Sequence, residues 1–141
     1  MEYLIAKEKA IKYIGISKKT EYEVTKKLKS LGVDSFTTSK IIQELIELSY
    51  IDDEQYIEAY IRQNMRMGKY SIYELKQKLL QKGLKADIID LKFSKYISVT
   101  YEKEVINKLL NSKLKSYDFM KTKSYLFRRG FKQESIEAII I

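Results

Sequence analysis

Residues 22–32 of this chain read YEVTKKLKSLG and residues 73–83 read YELKQKLLQKG, so a helix-forming run that stops at glycine occurs twice. Tyr22 matches Tyr73, Glu23 matches Glu74, Lys27 matches Lys78, Leu28 matches Leu79 and Gly32 matches Gly83. A fainter third copy, LFRRG at residues 126–130, keeps the leucine four places before the glycine, as Leu126 and Gly130. An apolar residue follows each glycine (Val33, Leu84, Phe131). Isoleucines come next: Ile41 and Ile42, Ile88 and Ile89, Ile136 and Ile139. A period of about 50 residues marks a repeat architecture, in which one supersecondary unit is copied along the chain.

Each copy carries its own start and stop signals. Thr20 with Glu23, and Ser71 with Glu74, have the spacing of capping boxes that satisfy the free amides of a helix start. Gly32, Gly83 and Gly130 stand where a left-handed residue ends a helix and lets the next apolar residue pack back on the last turn. A preceding helix completes each unit. In the first unit it spans residues 3–15, with Leu4, Ala10, Ile11 and Ile14 near helical spacing. In the second it starts at the N-cap Asp52, with Gln55 three places on, and continues to Gly68. In the third it covers residues 100–112, with Val105, Ile106, Leu109 and Leu110. The expectation is an all-α fold: a tandem array of three three-helix repeats, at residues 1–50, 51–97 and 98–141. One such unit has a marginal core. Stacking on neighbours supplies the rest, which predicts an elongated, curved molecule with one concave face.

Composition narrows the chemistry. Proline is absent and glycine occurs 5 times, as a nearly all-helical chain requires. There is neither cysteine nor histidine. That removes disulfides, thiolate nucleophiles, histidine acid–base catalysis and Cys/His metal sites. No constellation supports an enzyme, and no cofactor or metal is expected. The net charge is +8, and residues 98–141, with 9 basic and 5 acidic side chains, hold half of the excess. Such charge favours phosphate backbones and acidic protein surfaces. No apolar run approaches the roughly 18 residues of a membrane span, and charges interrupt the N-terminus where a signal peptide would be apolar. The expectation is a cytoplasmic monomer without membrane contact.

Residues 49–61, SYIDDEQYIEAYI, resemble the hallmark of the RecX regulators of the RecA recombinase, which reads approximately G-Y-I-D-D-x-x-F-A-x-x-Y-V. Residues 22–32 are similar to the family's first-unit E-L-x-x-K-L-x-x-x-G, residues 68–84 to its middle G-x-x-x-I-x-x-x-L-x-x-K-G-I, and residues 125–131 to its final L-x-R-R-G-F. Order and spacing agree along essentially the whole chain. Ser49 stands for the usual glycine and Ile57 for the usual small residue, and the longer tail of some members is expected to be missing after Ile141. The resemblance implies three tandem three-helix units and no catalytic residue. It also implies a protein that binds the RecA–single-stranded DNA filament in its helical groove and inhibits strand exchange, ATP hydrolysis and coprotease function. DNA repair, homologous recombination and the SOS response are the implied context.

Several side-chain groups are candidates for partner contact. On the helix at residues 117–130, helical spacing puts Phe119, Met120, Leu126 and Phe127 on one face and Lys121, Tyr125, Arg128 and Arg129 on the other. A basic face with an interleaved tyrosine suits phosphate contact and base stacking, although a solvated surface has the same look; Lys132 adjoins it. In the middle unit Arg62 and Arg66 share a face four residues apart, followed by Lys69, then Lys76, Lys78 and Lys82 on the next helix. Lys26, Lys27 and Lys29 read as solvated. Asp52, Asp53 and Glu54 read as a helix start, where carboxylates meet the positive end of the dipole. Tyr56 and Tyr60 read as core, and Tyr22 and Tyr73 as structural within each unit. Residues 68–71 form a helix-to-helix turn, lacking the glycine pattern of a phosphate loop. Weak, nonspecific contact with single-stranded DNA fits this picture. A helix-turn-helix nucleic-acid binder, or a helical-repeat scaffold for another acidic partner, would share the same charge and periodicity.

Overall fold

The computed structural model describes residues 1–140. The described residues form nine α-helices and no strand: α1 Tyr3–Ile16, α2 Glu21–Ser30, α3 Ser35–Glu47, α4 Asp53–Met67, α5 Ile72–Gln81, α6 Ala86–Tyr96, α7 Tyr101–Leu110, α8 Phe119–Arg128 and α9 Gln133–Ile140. The helices α1, α2 and α3 pack on one another. The pair α4 and α5 packs on α6, and the pair α7 and α8 packs on α9. None of these helices is long and apolar enough to cross a membrane.

The glycine stops act as their spacing demands. Gly32, Gly83 and Gly130 have φ of +84°, +82° and +85°, the left-handed region that penalises a side chain. The residue after each glycine donates back to the carbonyl of the repeat leucine: Val33 N to Leu28 O, Leu84 N to Leu79 O and Phe131 N to Leu126 O, at 3.1, 3.3 and 3.2 Å. This is the Schellman arrangement, and it buries Val33, Leu84 and Phe131. Both capping boxes form, and Asp52 caps α4 through Gln55 N at 3.1 Å.

The apolar residues gather in two cores. Ala6, Ala10, Val24, Leu28, Ile41 and Leu45 centre the first, which also takes in Ile51. The second runs without a break from Ile57, Leu75 and Leu79 in α4 and α5 to Ile106, Leu126 and Ile136 in α7, α8 and α9. The accessible surface is 9060 Å², against about 7,600 Å² for a compact monomer of this mass. The excess is that of an elongated array.

A set of polar contacts recurs at both joints, and at the second it adds to the continuous apolar core. The Thr20 hydroxyl accepts from Glu23 N within its own unit and donates to Lys82 O in the next, at 3.2 and 2.6 Å. Ser71 repeats this with Glu74 N and Arg129 O, at 3.1 and 2.8 Å. The box glutamates pair forward too, Glu23 with Lys82 and Glu74 with Arg129. A carboxylate returns from the following unit: Asp53 accepts from Glu21 N at 2.9 Å and Glu102 from Ile72 N at 2.8 Å. Tyr22 and Tyr73 lie directly on Gly83 and Gly130, where an added Cβ would meet their rings at 2.2 and 2.7 Å.

Three sequence expectations change. Leu4 is 73% exposed, because α1 buries Ala6, Ala10 and Ile14 instead. On α8 only Leu126 of the expected apolar face is buried; Phe119, Met120 and Phe127 point outward. The buried strip of that helix is Thr122 and Leu126, and Tyr125 and Arg129 flank it because the polar joint lies on that side. Tyr22 and Tyr73 serve the contact between units rather than the unit that carries them.

Candidate functional site

The turn after α4 and the helices α7 and α8 enclose a cleft of about 680 Å³ beside the second joint. Its cations are Lys69, Lys108, Lys113 and Arg129, its aromatic groups are Tyr70 and Tyr125, and its one carboxylate is Glu74. Gly68, left-handed at φ +58°, ends α4 at the mouth. Lys108 lies against that glycine and donates to Met67 O at 2.8 Å, which satisfies one carbonyl of the α4 terminus.

Arg129 is the most constrained of these cations. Its Nε and Nη2 meet the two carboxylate oxygens of Glu74 at 3.2 and 2.7 Å, a bidentate pair. Nη2 also donates to Lys69 O at 2.8 Å and Nη1 to the Tyr125 hydroxyl at 3.3 Å. Burial would raise the Glu74 pKa, but the guanidinium and the Ser71 amide hold it below the ordinary glutamate value. Burial would likewise raise Tyr125, and the neighbouring Arg129 and Lys113 cations outweigh it and lower that pKa. Arg129 and Glu74 cancel, so Lys69, Lys108 and Lys113 carry the positive field of the cleft.

The aromatic rings are held by cations and by each other. Lys78 sits 4.5 Å from the Tyr70 ring centre and Lys113 4.9 Å from that of Tyr125. Tyr117 meets Tyr125 edge-on at 6.1 Å and carries Lys121 at 4.3 Å on its face. These cation–π contacts keep ammonium groups beside ring surfaces that a planar base or an apolar side chain can also cover.

A smaller cleft of about 320 Å³ repeats the design at the first joint, with Lys18, Lys19, Tyr56, Tyr60 and the Lys82–Glu23 pair. Lys18 and Lys69 hold the same place, just after the first helix of their units. Burial raises the pKa of Tyr56, and that of Tyr60 to about 12, so both stay neutral. The array thus repeats a basic, tyrosine-bearing cleft.

Of the cations singled out by sequence, the structure brings Lys69, Arg129 and, through Tyr70, Lys78 to the larger cleft, together with Tyr125. Lys121 and Arg128 are exposed on the neighbouring face of α8, and Lys82 belongs to the first joint. Lys76 and Lys132 line a different groove on the other flank of α5, where Lys76 pairs with Asp90 at 2.9 Å. Arg62 and Arg66 are exposed on α4. Sequence reading missed Tyr70, Lys108 and Lys113. The repeat register relating Lys69 to Lys18 pointed near them, but Lys108 and Lys113 come from a helix end that only the stacking of units delivers.

A family model described as the second three-helix domain of RecX matches residues 52–91. The regulatory protein RecX of Clostridium tetani is 33% identical across 98% of this chain and 67% of its own length. That of Clostridium acetobutylicum is 32% identical across 98% and 68%, and that of Streptococcus agalactiae serotype V 33% identical across 91% and 51%. The chain therefore spans about half of the streptococcal relative and two thirds of the clostridial ones. The crystal structure of RecX from Lactobacillus salivarius superposes with a TM-score of 0.83 at 29% identity, covering 98% of this chain and 94% of that one.

Proposed function

The chain belongs to the RecX family of regulatory proteins, and on that premise we propose that it binds the RecA–single-stranded DNA filament and inhibits recombinase activity: strand exchange, ATP hydrolysis and coprotease function. It does so by occupying surface, without catalysis of its own. The observation that carries this reading is the cleft at the second joint, where Lys69, Lys108 and Lys113 surround Tyr70 and Tyr125. A filament of protein and single-stranded nucleic acid offers acidic side chains, phosphates and unstacked bases. Ammonium groups beside tyrosine faces meet all three. Lys78, Lys121 and Arg128 extend the same basic surface, with Lys82 at the first joint and Arg62, Arg66, Lys76 and Lys132 as outlying contacts. Arg129 positions Tyr125 and the Lys69 backbone rather than meeting the partner itself.

The test is RecA ATP hydrolysis on single-stranded DNA, titrated with this protein from substoichiometric to equimolar ratios. A dose-dependent loss is expected. The double reversal Lys69→Glu, Lys113→Glu, with unchanged helicity, should shift the titration by about tenfold or more, and added salt should weaken the wild type. A hydrolysis rate indifferent to a large excess of the protein sinks the proposal. Strong preference for one duplex sequence would favour the helix-turn-helix reading instead.

A further inference from the structure

Among the described residues, nothing covers the third unit's counterpart of the joint face. At both internal joints the first turn of the unit's second helix supplies the same parts: a backbone amide that receives a carboxylate (Glu21 N, Ile72 N) and, one residue later, a tyrosine that covers a glycine (Tyr22 on Gly83, Tyr73 on Gly130). In α8 the matching positions are Phe119, whose amide meets no carboxylate among the described residues, and Met120, which is 69% exposed. Phe127, two turns on from Phe119, is 67% exposed. Phe119 and Met120 thus lie open at the two positions that meet a neighbour in the other two units.

In the first unit the opposite half of the joint is open among the described residues. The carboxylates that reach back, Asp53 and Glu102, stand four residues before the buried Ile57 and Ile106. Glu2 stands four residues before the buried Ala6, and its carboxylate is exposed and without a partner among the described residues. Gly32 matches Gly83 and Gly130, yet an added Cβ there would meet nothing within 4 Å. The charges are complementary as well: Lys121 and Lys123 border the α8 face, while Glu2 and Asp34 border the face beside Gly32.

We propose that this face of α8 is a joint whose occupant is the first unit of a second copy of the chain, so that copies associate head to tail. Met120 covers Gly32 of the next copy and Glu2 of that copy accepts from the Phe119 amide, continuing the array already built within one chain. Such an interface is heterologous and does not close on itself, so it yields open chains rather than a dimer. It is weaker than the internal joints for two stated reasons. Asp118 replaces Thr20 and Ser71 and has no proton to give the Leu31 carbonyl. Leu31 replaces the cations Lys82 and Arg129.

Sedimentation equilibrium from micromolar to millimolar protein tests this. The average mass should climb with concentration and pass the dimer. Glu2→Arg and Met120→Asp change exposed positions at opposite ends, and each alone should hold the chain monomeric with wild-type helicity and thermal midpoint. Mixed in equal amounts, the two variants retain one good end each and should give dimers that grow no further. The triple change Leu31→Arg, Asp118→Ser, Lys121→Glu rebuilds the internal joint and should bring association to concentrations at least about tenfold lower. A wild-type chain that stays monomeric throughout, variants that leave association unchanged, or a mixture that stays monomeric each overturns the proposal.

Discussion

Replacing each of the three repeat glycines by alanine separates what the glycine does for its own helix from what it does for the joint. All three have nearly the same φ, between +82° and +85°, so the cost of placing an L side chain in the left-handed region, about 1–2 kcal/mol, is common to all. Gly32→Ala adds nothing more, because the space beside it is open. At Gly83 the new methyl would lie 2.2 Å from both Cβ and Cγ of Tyr22. Those atoms are fixed by the α2 backbone and cannot swing aside, so the units must separate. Separation strains the 2.6 Å Thr20–Lys82 bond and the Glu23–Lys82 pair. Overpacking of this kind adds about 1–3 kcal/mol, so Gly83→Ala should cost about 2–5 kcal/mol in all.

Urea unfolding followed by far-ultraviolet circular dichroism gives the comparison. The first unit has a core of its own, so the melts are fitted with independent terms for it and for the remaining units. Gly83→Ala and Gly130→Ala should each exceed Gly32→Ala. In a Tyr22→Gly background, which removes both Cβ and Cγ, the cost of Gly83→Ala should fall back to that of Gly32→Ala, giving a coupling energy of about 1–3 kcal/mol. Equal costs at all three glycines, or no coupling to Tyr22, refutes the claim that these tyrosine–glycine contacts hold the units together.

Other consequences are smaller in scope. Ser49 has φ +64° where its relatives' hallmark carries glycine, so Ser49→Gly should stabilise the protein by about 0.5–1 kcal/mol in the same melts. Glu102, 2% exposed, accepts from Ile72 N and Lys132 N at 2.8 and 2.9 Å. Glu102→Ala should therefore cost about 3 kcal/mol, roughly twice the cost of Asp53→Ala, which frees a single amide. The folded pKa of Glu74 lies below its unfolded value, so its contribution is present above the ordinary glutamate value of about 4.3 and is lost as pH falls through the folded one. Acid titration of stability should show a shallower loss for Glu74→Gln than for the wild type.

Much of the architecture was legible because it is local. A capping box, a left-handed glycine and the apolar residue after it are each decided within a few residues, so the helix starts at Glu21, Asp53 and Ile72 and the Schellman ends follow from the letters alone. The joints were not legible in this way. Thr20 and Ser71 do two jobs, and only the inward one, to Glu23 and Glu74, has a fixed sequence spacing. Arg129 reads as a free cation because Glu74, which occupies it, lies in another unit. The face of α8 is narrower than its spacing suggests: only Thr122 and Leu126 are buried, and the polar contacts of Tyr125 and Arg129 take the flank that Phe119, Met120 and Phe127 leave. Lys108 and Lys113 belong to the cleft only once α7 stacks beside the turn at Gly68.

The pattern of matches among the three copies nevertheless holds the information, provided it is read by which copies share a letter. Leucine and glycine recur in all three (Leu28, Leu79, Leu126; Gly32, Gly83, Gly130), because every copy needs them to end its helix; at Gly83 and Gly130 the glycine also lies under the tyrosine of the preceding unit. The hydroxyl N-cap, the tyrosine and the glutamate recur only in the first and second copies (Thr20, Tyr22, Glu23; Ser71, Tyr73, Glu74), and they reach forward to a following unit. The cation before the glycine recurs only in the second and third (Lys82, Arg129), and it reaches back to a preceding one. A position shared by all copies belongs to the fold of the unit. A position missing from one end belongs to a joint, and the end from which it is missing gives the joint's direction. By that rule Asp118, Met120 and Lys121 mark a forward face whose joint chemistry has been altered, and Leu31 a backward face altered in the matching way. The acid at Glu2 and the glycine at 32 survive there as the two parts of the backward face still able to receive a neighbour.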